Sequence, residues 1–306
     1  MLQTLLYYRY ARLENAEEFA KKHLKFCKEL GLLGRVIVAP EGLNGTISGT
    51  KEQCKTYMDT IEADERLSGV HWKIDEVEEP SFLKMHVRYK PEIVNSGLHT
   101  EVDPLEKTGV HLTPTEFKEM KNSEDVVVVD VRSNYEHNVG KFKNAITFDI
   151  DNFREFPDKV DEFKEKYKDK KILTYCTGGI KCEKASAFLL KKGFKDVYQL
   201  HGGIINYGKE VGGEDFDGNC YVFDNRVQVP INTVNPTVIS RCLNCGTPTV
   251  RMVNCANPHC NDHFVQCENC GGEMEGSCST QCGKSPFRRE YNDKGYYVRI
   301  PNDGKH

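Results

Sequence analysis

The sequence predicts a multidomain protein that joins an α+β unit, an open parallel-sheet α/β unit and a cysteine-rich end. Three observations predict it. Strand-like and helix-like patterns alternate as β-α-β-β-α-β over residues 1–95. Three β-branched runs separated by helical patterns follow over residues 109–212. Eight of the thirteen cysteines then crowd between Cys242 and Cys282. A chain of 306 residues accommodates two or three such units.

In the first unit, TLLYYRYA (Thr4–Ala11) is rich in Leu and Tyr and reads as a strand. Glu14–Leu30 follows with Phe19, Leu24, Phe26 and Leu30 near helical spacing. RVIVAPEGLNGTISG (Arg35–Gly49) reads as two strands around a turn, because Pro40, Gly42, Asn44 and Gly45 punctuate it. Lys51–Leu67 predicts a second helix, Trp72–Glu78 a strand, and Lys84–Val94 one more strand. That order is the ferredoxin-like (acylphosphatase-like) arrangement. Tyr7, Tyr8 and Tyr10 alternate faces of the first strand, so only some of them are placed to stack on a base. Residues 96–108, with Gly97, Asp103 and Pro104, are expected to form a linker.

The second unit opens on LTPTEFKEM (Leu112–Met120), where Thr113 suits a helix cap, Pro114 the first helical position and Glu116 the returning side of a capping box. DVVVVDVRS (Asp125–Ser133) and KKILTYC (Lys170–Cys176) read as strands buried on both faces, and DVYQL (Asp196–Leu200) as a third.

YCTGGIKCEKA then places Cys176 where a buried strand ends, before a helix expected to begin near Glu183. Ligands of open parallel sheets gather beyond the carboxyl ends of the strands. Thr177, Gly178, Gly179, Ile180 and Lys181 would wrap the sulfur with backbone N–H groups and form the substrate-facing loop, and the helix dipole adds positive potential. Both effects favour thiolate and make Cys176 the candidate nucleophile. Cys182, one loop away, is a candidate resolving thiol, with simple packing as its alternative. Asp130, Arg132 and Glu136 read as charges that brace the loop, and His201 as a turn residue before Gly202 and Gly203.

Residues 213–306 carry the pairs Cys242–Cys245, Cys255–Cys260, Cys267–Cys270 and Cys278–Cys282, with Gly246 and Gly271 after the two CxxC turns. Eight thiolates suit two structural zinc sites of four cysteines each, paired either sequentially or in interleaved fashion; His259 and His263 are possible substitutes. A polar, frayed end is expected at Asn302–His306.

A net charge of −4 argues against wholesale coating of nucleic acid but leaves a local basic groove open, for which Arg35, Lys84, Arg88 and Lys90 are candidates. No signal peptide or membrane span is apparent, so a cytoplasmic location is expected. No GxGxxG fingerprint marks a flavin or nicotinamide site, and no paired His–carboxylate pattern announces non-haem iron.

The segment DVR (Asp130–Arg132), Glu136, Gly140 and the Cys176 loop resemble the rhodanese superfamily, in which the loop cysteine carries sulfur or acts as a related nucleophile. Position 182 is Cys rather than the arginine of the phosphatase variant, which argues against that activity. PEGLNGTISG (Pro40–Gly49), CTGGIKCEKAS (Cys176–Ser186), HGGI (His201–Ile204) and the cysteine-rich tail together resemble the bacterial tRNA uridine hydroxylase family over nearly the whole chain. The resemblance implies oxygen-dependent conversion of wobble uridine 34 to 5-hydroxyuridine, a tRNA anticodon arm as partner and molecular oxygen as co-substrate. Lys181 stands where that family usually has Arg, keeping the charge but losing the planar fork. Two other readings stay open: a sulfurtransferase working through a Cys176 persulfide, which the loop alone supports equally well but which needs neither flanking domain, and a non-catalytic RNA-binding protein, against which Cys176 counts.

Overall fold

The structure, a computed structural model, describes residues 1–291; the end expected at Asn302–His306 lies outside the described residues. In the N-terminal domain the elements run β1 (Leu2–Tyr10), α1 (Ala16–Glu29), β2 (Leu33–Ala39), β3 (Gly42–Thr50), α2 (Lys51–Glu62), β4 (Lys73–Val77) and β5 (Met85–Tyr89). The sheet order β4-β1-β3-β2-β5 is the expected ferredoxin-like order with β5 added in parallel beside β2. Alternation along β1 sends Leu5 and Tyr7 into the core beneath α1 and α2, whereas Leu6 and Tyr8 line the opposite face. Residues Ala16, Ala20, His23 and Cys27 form the buried stripe of α1, and the larger Phe19, Leu24, Phe26 and Leu30 flank it half-buried. Small residues at the centre of the stripe let the helix approach the sheet. Gly45 on β3 leaves room for the Tyr7 ring of β1, since a Cβ there would meet the Tyr7 hydroxyl.

The central domain runs β6 (Val110–Leu112), α3 (Pro114–Met120), β7 (Val126–Asp130), α4 (Asn134–His137), β8 (Gly140–Phe142), β9 (Ile146–Thr147), α5 (Phe156–Tyr167), β10 (Lys171–Tyr175), α6 (Ile180–Lys191), β11 (Val197–Leu200) and α7 (Gly203–Val211). Its sheet, β6-β11-β10-β7-β9, is parallel throughout and covered on both faces, as the continuous apolar runs predict. Phe156, Val160 and Phe163 of α5 pack one face, and Phe117 and Tyr207 the other. The capping box on α3 forms as expected, with Glu116 N–H donating to Thr113 Oγ1 and Thr113 N–H to Glu116 Oε2 at 2.8 Å.

Packing is more continuous than the composition suggests. Leu98, inside the expected linker, is buried in the central core, and Val94 and Val102 pack beside it. Beyond residue 213, β12 (Phe216–Tyr221) pairs antiparallel with β8 and places Phe216 and Cys220 in the central core, with β13 (Gln228–Pro230) on its far edge. The cysteine-rich region proper holds a hairpin, β14 (Met252–Asn254) with β15 (His263–Val265), and two short helices, α8 (Glu268–Glu273) and α9 (Thr280–Gly283).

The N-terminal sheet docks on the central domain through polar groups. Lys184, fully buried on α6, donates to Glu41 at 2.6 Å, and Tyr8 Oη donates to Glu183 at 2.9 Å. Asp75 on β4 meets Lys209 at 2.6 Å and Arg226 at 2.8 Å. The Lys184–Glu41 pair is largely buried and such pairs are costly to break, so it helps fix the orientation of the two domains. Among the described residues no helix is long and apolar enough to cross a membrane.

Candidate active site and metal centres

Strand β10 ends at Tyr175 and delivers Cys176 to the loop. The helix that follows begins at Ile180, three residues before the expected start near Glu183. Gly179 makes this possible: its φ of +103° lets the chain reverse at once. Lys181 and Cys182 therefore sit in the first helical turn. A second glycine device lies opposite. Gly203 abuts the carbonyls of Cys176 and Thr177, each of which a Cβ would meet at 2.6 Å. That closeness lets Ile204 N–H donate to Cys176 O at 3.0 Å and Ile205 N–H to Thr177 O at 3.2 Å. The HGGI motif thus ties down the loop carbonyls, while the Gly179 N–H donates to the Cys176 sulfur at 3.2 Å.

Burial pushes the Cys176 thiol up, but the other influences outweigh it. The Cys182 thiol hydrogen-bonds to the sulfur, Lys181 supplies positive charge, and the N–H groups of Cys182 and Gly179 donate to it, so that the pKa falls to about 7. Cys182 is driven the other way by its own burial and by the neighbouring anion, and stays a thiol. The pair is one thiolate beside one proton donor.

Below the loop, Arg132 is fully buried and forms a two-pronged pair with Asp130, Nε to Oδ1 at 2.9 Å and Nη2 to Oδ2 at 2.7 Å; Nη2 also donates to Gly140 O at 2.6 Å. This is the expected brace. Glu136 departs from it: only its carbonyl meets Arg132, and its carboxylate is ion-paired with Lys181. His201 keeps to a turn, its ring 4.6 Å from that of His71 and outside the cavity beside Cys176.

That cavity encloses about 410 Å³ between the two domains. Cys176, Thr177, Gly178, Ile180 and Lys181 form one side, and Leu6, Tyr8, Arg35, Asn44 and Thr46 on the open face of the N-terminal sheet form the other. Tyr7 is in the helix-facing core, which leaves Tyr8 as the half-buried tyrosine on this wall. Glu136 lines it too, as do Tyr135, Phe153 and Phe223, which nothing in their local sequence marks. Arg35 is exposed, and Lys84, Arg88 and Lys90 lie exposed around neighbouring β5, none with an ion-pair partner among the described residues. The pKa of His86, opposite Arg35 in register, is lowered by burial and then by Arg88, Arg35 and Lys84, so these charges share one field.

The eight tail cysteines gather into two clusters, Cys242, Cys245, Cys267 and Cys270, and Cys255, Cys260, Cys278 and Cys282, with the sulfurs of each within 4.8 Å of one another. The pairing is interleaved. Tetrahedral ligation at zinc–sulfur bond lengths requires sulfurs roughly 3.8 Å apart. The Cys245–Cys267, Cys260–Cys278 and Cys278–Cys282 separations are each 3.7 Å. The donor sets therefore fit a tetrahedral metal ion. Gly246 closes the first CxxC turn at φ +74°, donating to Cys242 O at 2.9 Å. His263 instead meets the Tyr221 hydroxyl and His259 packs on Phe287, so neither histidine joins a cluster.

Residues 2–93 match the UPF0176 acylphosphatase like domain, 113–210 the rhodanese-like domain and 217–283 the rhodanase C-terminal family. The chain is 58% identical over 300 residues to a Cytophaga hutchinsonii protein named tRNA uridine(34) hydroxylase, covering 98% of this chain and 96% of that one. Proteins of the same name from Enterococcus faecalis and Streptococcus agalactiae are 52% and 49% identical, covering 94% and 96% of this chain and 92% of each relative.

Proposed function

Because the chain belongs to the tRNA uridine(34) hydroxylase family, we propose that it hydroxylates wobble uridine 34 of tRNA to 5-hydroxyuridine with Cys176 as nucleophile. The observation that carries the chemistry is the Cys176 sulfur, its pKa near 7, facing a cavity of about 410 Å³, within the range of small-molecule sites. Thr177, Gly178, Ile180 and Lys181 hold the base against it, while Gly179 holds the sulfur through its N–H. An anticodon-loop base is unpaired and enters such a pocket without melting a helix.

C5 of a neutral uracil ring resists oxidation. Attack by the Cys176 thiolate forms an S–C6 bond and moves the C5=C6 electron pair onto C5 and O4, which makes C5 electron-rich. Molecular oxygen then adds to C5 as a hydroperoxide, and the Cys182 thiol takes its outer oxygen, leaving a hydroxyl on C5 and a sulfenic acid on Cys182. Loss of the C5 proton expels the thiolate. The two electrons come from these two thiols: the freed Cys176 thiolate attacks the Cys182 sulfenic acid, closing a disulfide and releasing water, and an external thiol reopens the disulfide. Arg35, Lys84, Arg88 and Lys90 contact the phosphates of the anticodon arm, and structural zinc in the two cysteine clusters shapes the tail. A tRNA substrate puts the work in the cytoplasm.

The test is nucleoside mass spectrometry of tRNA from cells whose only copy carries Cys176→Ala. The expected result is loss of 5-hydroxyuridine. Retention of that nucleoside at the parental level overturns the assignment, and loss of thiolated nucleosides instead supports sulfur transfer.

A further inference from the structure

Glu136 occupies an unusual position for a carboxylate. It is completely buried in the first turn of α4 and lines the same cavity as Cys176. Its Oε2 accepts from Ser133 N–H at 3.1 Å and from Lys181 Nζ. Oε1 has no hydrogen-bond partner among the described residues. Buried polar atoms are rarely left so, and an ionised oxygen is the most costly to strand. A cap needs only one carboxylate oxygen, so helix capping does not account for the second.

The chemistry of the pair narrows what belongs there. Glu136 and Lys181 together carry no net charge, and a bare carboxylate oxygen repels phosphate, sulfate or thiosulfate. What satisfies it is a neutral N–H donor next to an oxygen acceptor. A uracil ring presents that pattern at N3–H and O4, and C6 lies directly across the ring from N3. A base whose C6 faces the Cys176 sulfur therefore turns its N3 edge away from that sulfur, toward another wall of the cavity.

We propose that Glu136 and Lys181 read the uracil edge, Glu136 Oε1 accepting from N3–H and Lys181 Nζ donating to O4. This deepens the hydroxylase reading and rests on it. Cytosine carries a lone pair at N3, which the carboxylate repels. The same ammonium stabilises O4 as thiolate addition drives electrons onto it, so one pair of residues supplies both base choice and rate.

The experiment uses full-length protein and tRNA transcripts that differ only in uridine, cytidine or 3-methyluridine at position 34. Wild type is expected to convert uridine at least roughly 100-fold faster than either analogue, because a site built around an N–H rejects ligands lacking it. Glu136→Gln keeps the shape and adds an amide N–H that suits cytosine N3; its preference for uridine over cytidine is expected to fall below about tenfold. Peptide-resolved alkylation of Cys176 and the melting temperature report whether that variant is folded. Conversion of 3-methyluridine within about threefold of uridine by wild type overturns the proposal without recourse to any variant. So does an unchanged uridine preference in folded Glu136→Gln. If wild type leaves uridine itself unmodified, the hydroxylase reading falls and takes this inference with it.

Discussion

Replacing Lys181 by methionine is expected to raise the pH at which Cys176 becomes a thiolate. The folded site lowers this pKa from 9.0 to about 7, which amounts to about 3 kcal/mol in favour of the anion. Burial opposes that gain, so the favourable contributions must exceed it. Three of them, the hydrogen bonds from the Cys182 thiol and from the N–H groups of Cys182 and Gly179, survive the substitution, while the positive charge does not. Loss of Lys181 also strips Glu136 Oε2 of its cation and leaves a carboxylate facing the same cavity. Both changes disfavour the thiolate. An upward shift of about one unit lowers the thiolate fraction at pH 7 from about a half to about a tenth, and alkylation slows about fivefold. The assay is the pH profile of Cys176 alkylation by iodoacetamide, read by peptide mass spectrometry so that the other cysteines do not contribute. Lys181→Arg is expected to keep the midpoint near the wild-type value. A Lys181→Met midpoint still at about 7, or below it, would refute the assignment of Lys181 as the activating charge.

Interleaved metal ligation makes Cys242→Ser with Cys267→Ser lose one of two bound ions, whereas Cys242→Ser with Cys255→Ser loses both; metal analysis showing the reverse would establish sequential pairing. Arg132→Met strands the buried Asp130 carboxylate and should cost about 3–5 kcal/mol in urea unfolding; a loss under about 1 kcal/mol would mean that the brace carries little of the loop's stability. His23, buried against Phe19 and Tyr57, has its pKa lowered by burial from 6.5 to about 4. The unfolded chain therefore binds its proton first, and stability that is complete above pH 6.5 declines as the pH falls toward about 4. His23→Gln should flatten the pH dependence of the unfolding midpoint across that window, and an unaltered slope would exclude His23 as its source.

The elements legible in the sequence are those with a single local cause. The continuous Val run of β7, the Thr113–Pro114–Glu116 cap and the β-α-β-β-α-β order each stand because local pattern and tertiary context agree. The N-terminus of α6 lies three residues ahead of its expected place because Gly179 reverses the chain through a left-handed φ that residue type permits but does not require. Short strands such as β8 and β9 leave no signal, since two or three residues carry no period. Of the site, Cys176 and its loop are visible in the sequence, while Glu136 reads there as part of the Arg132 brace: the DVR-x3-E spacing places it beside Arg132, but α4 turns its carboxylate toward Lys181. The interleaved clusters stay open on spacing alone, since the choice depends on how the β14–β15 hairpin folds the second and third pairs past each other.

What a thiolate attacks is decided by its surroundings, and here those come from two domains. A rhodanese-like loop alone offers an anion nest, which suits a small sulfur donor as well as a base. Two features shift the balance in this molecule. The Lys181 charge that would hold a small anion is neutralised by Glu136, whose second oxygen demands a donor. The open sheet face of the N-terminal domain then encloses the space above Cys176 and sets the exposed Arg35 at its edge, with Arg88 on the adjoining strand. A neutral interior with a cationic rim fits a base carried on a phosphate backbone. The docking contacts are consequently part of the specificity: Lys184 to Glu41 and Tyr8 to Glu183 hold the second wall in place. Breaking the first with Glu41→Gln is expected to leave Cys176 alkylation within about twofold of wild type while uridine conversion falls at least about tenfold. Equal losses in the two assays would show that the wall acts only through the loop.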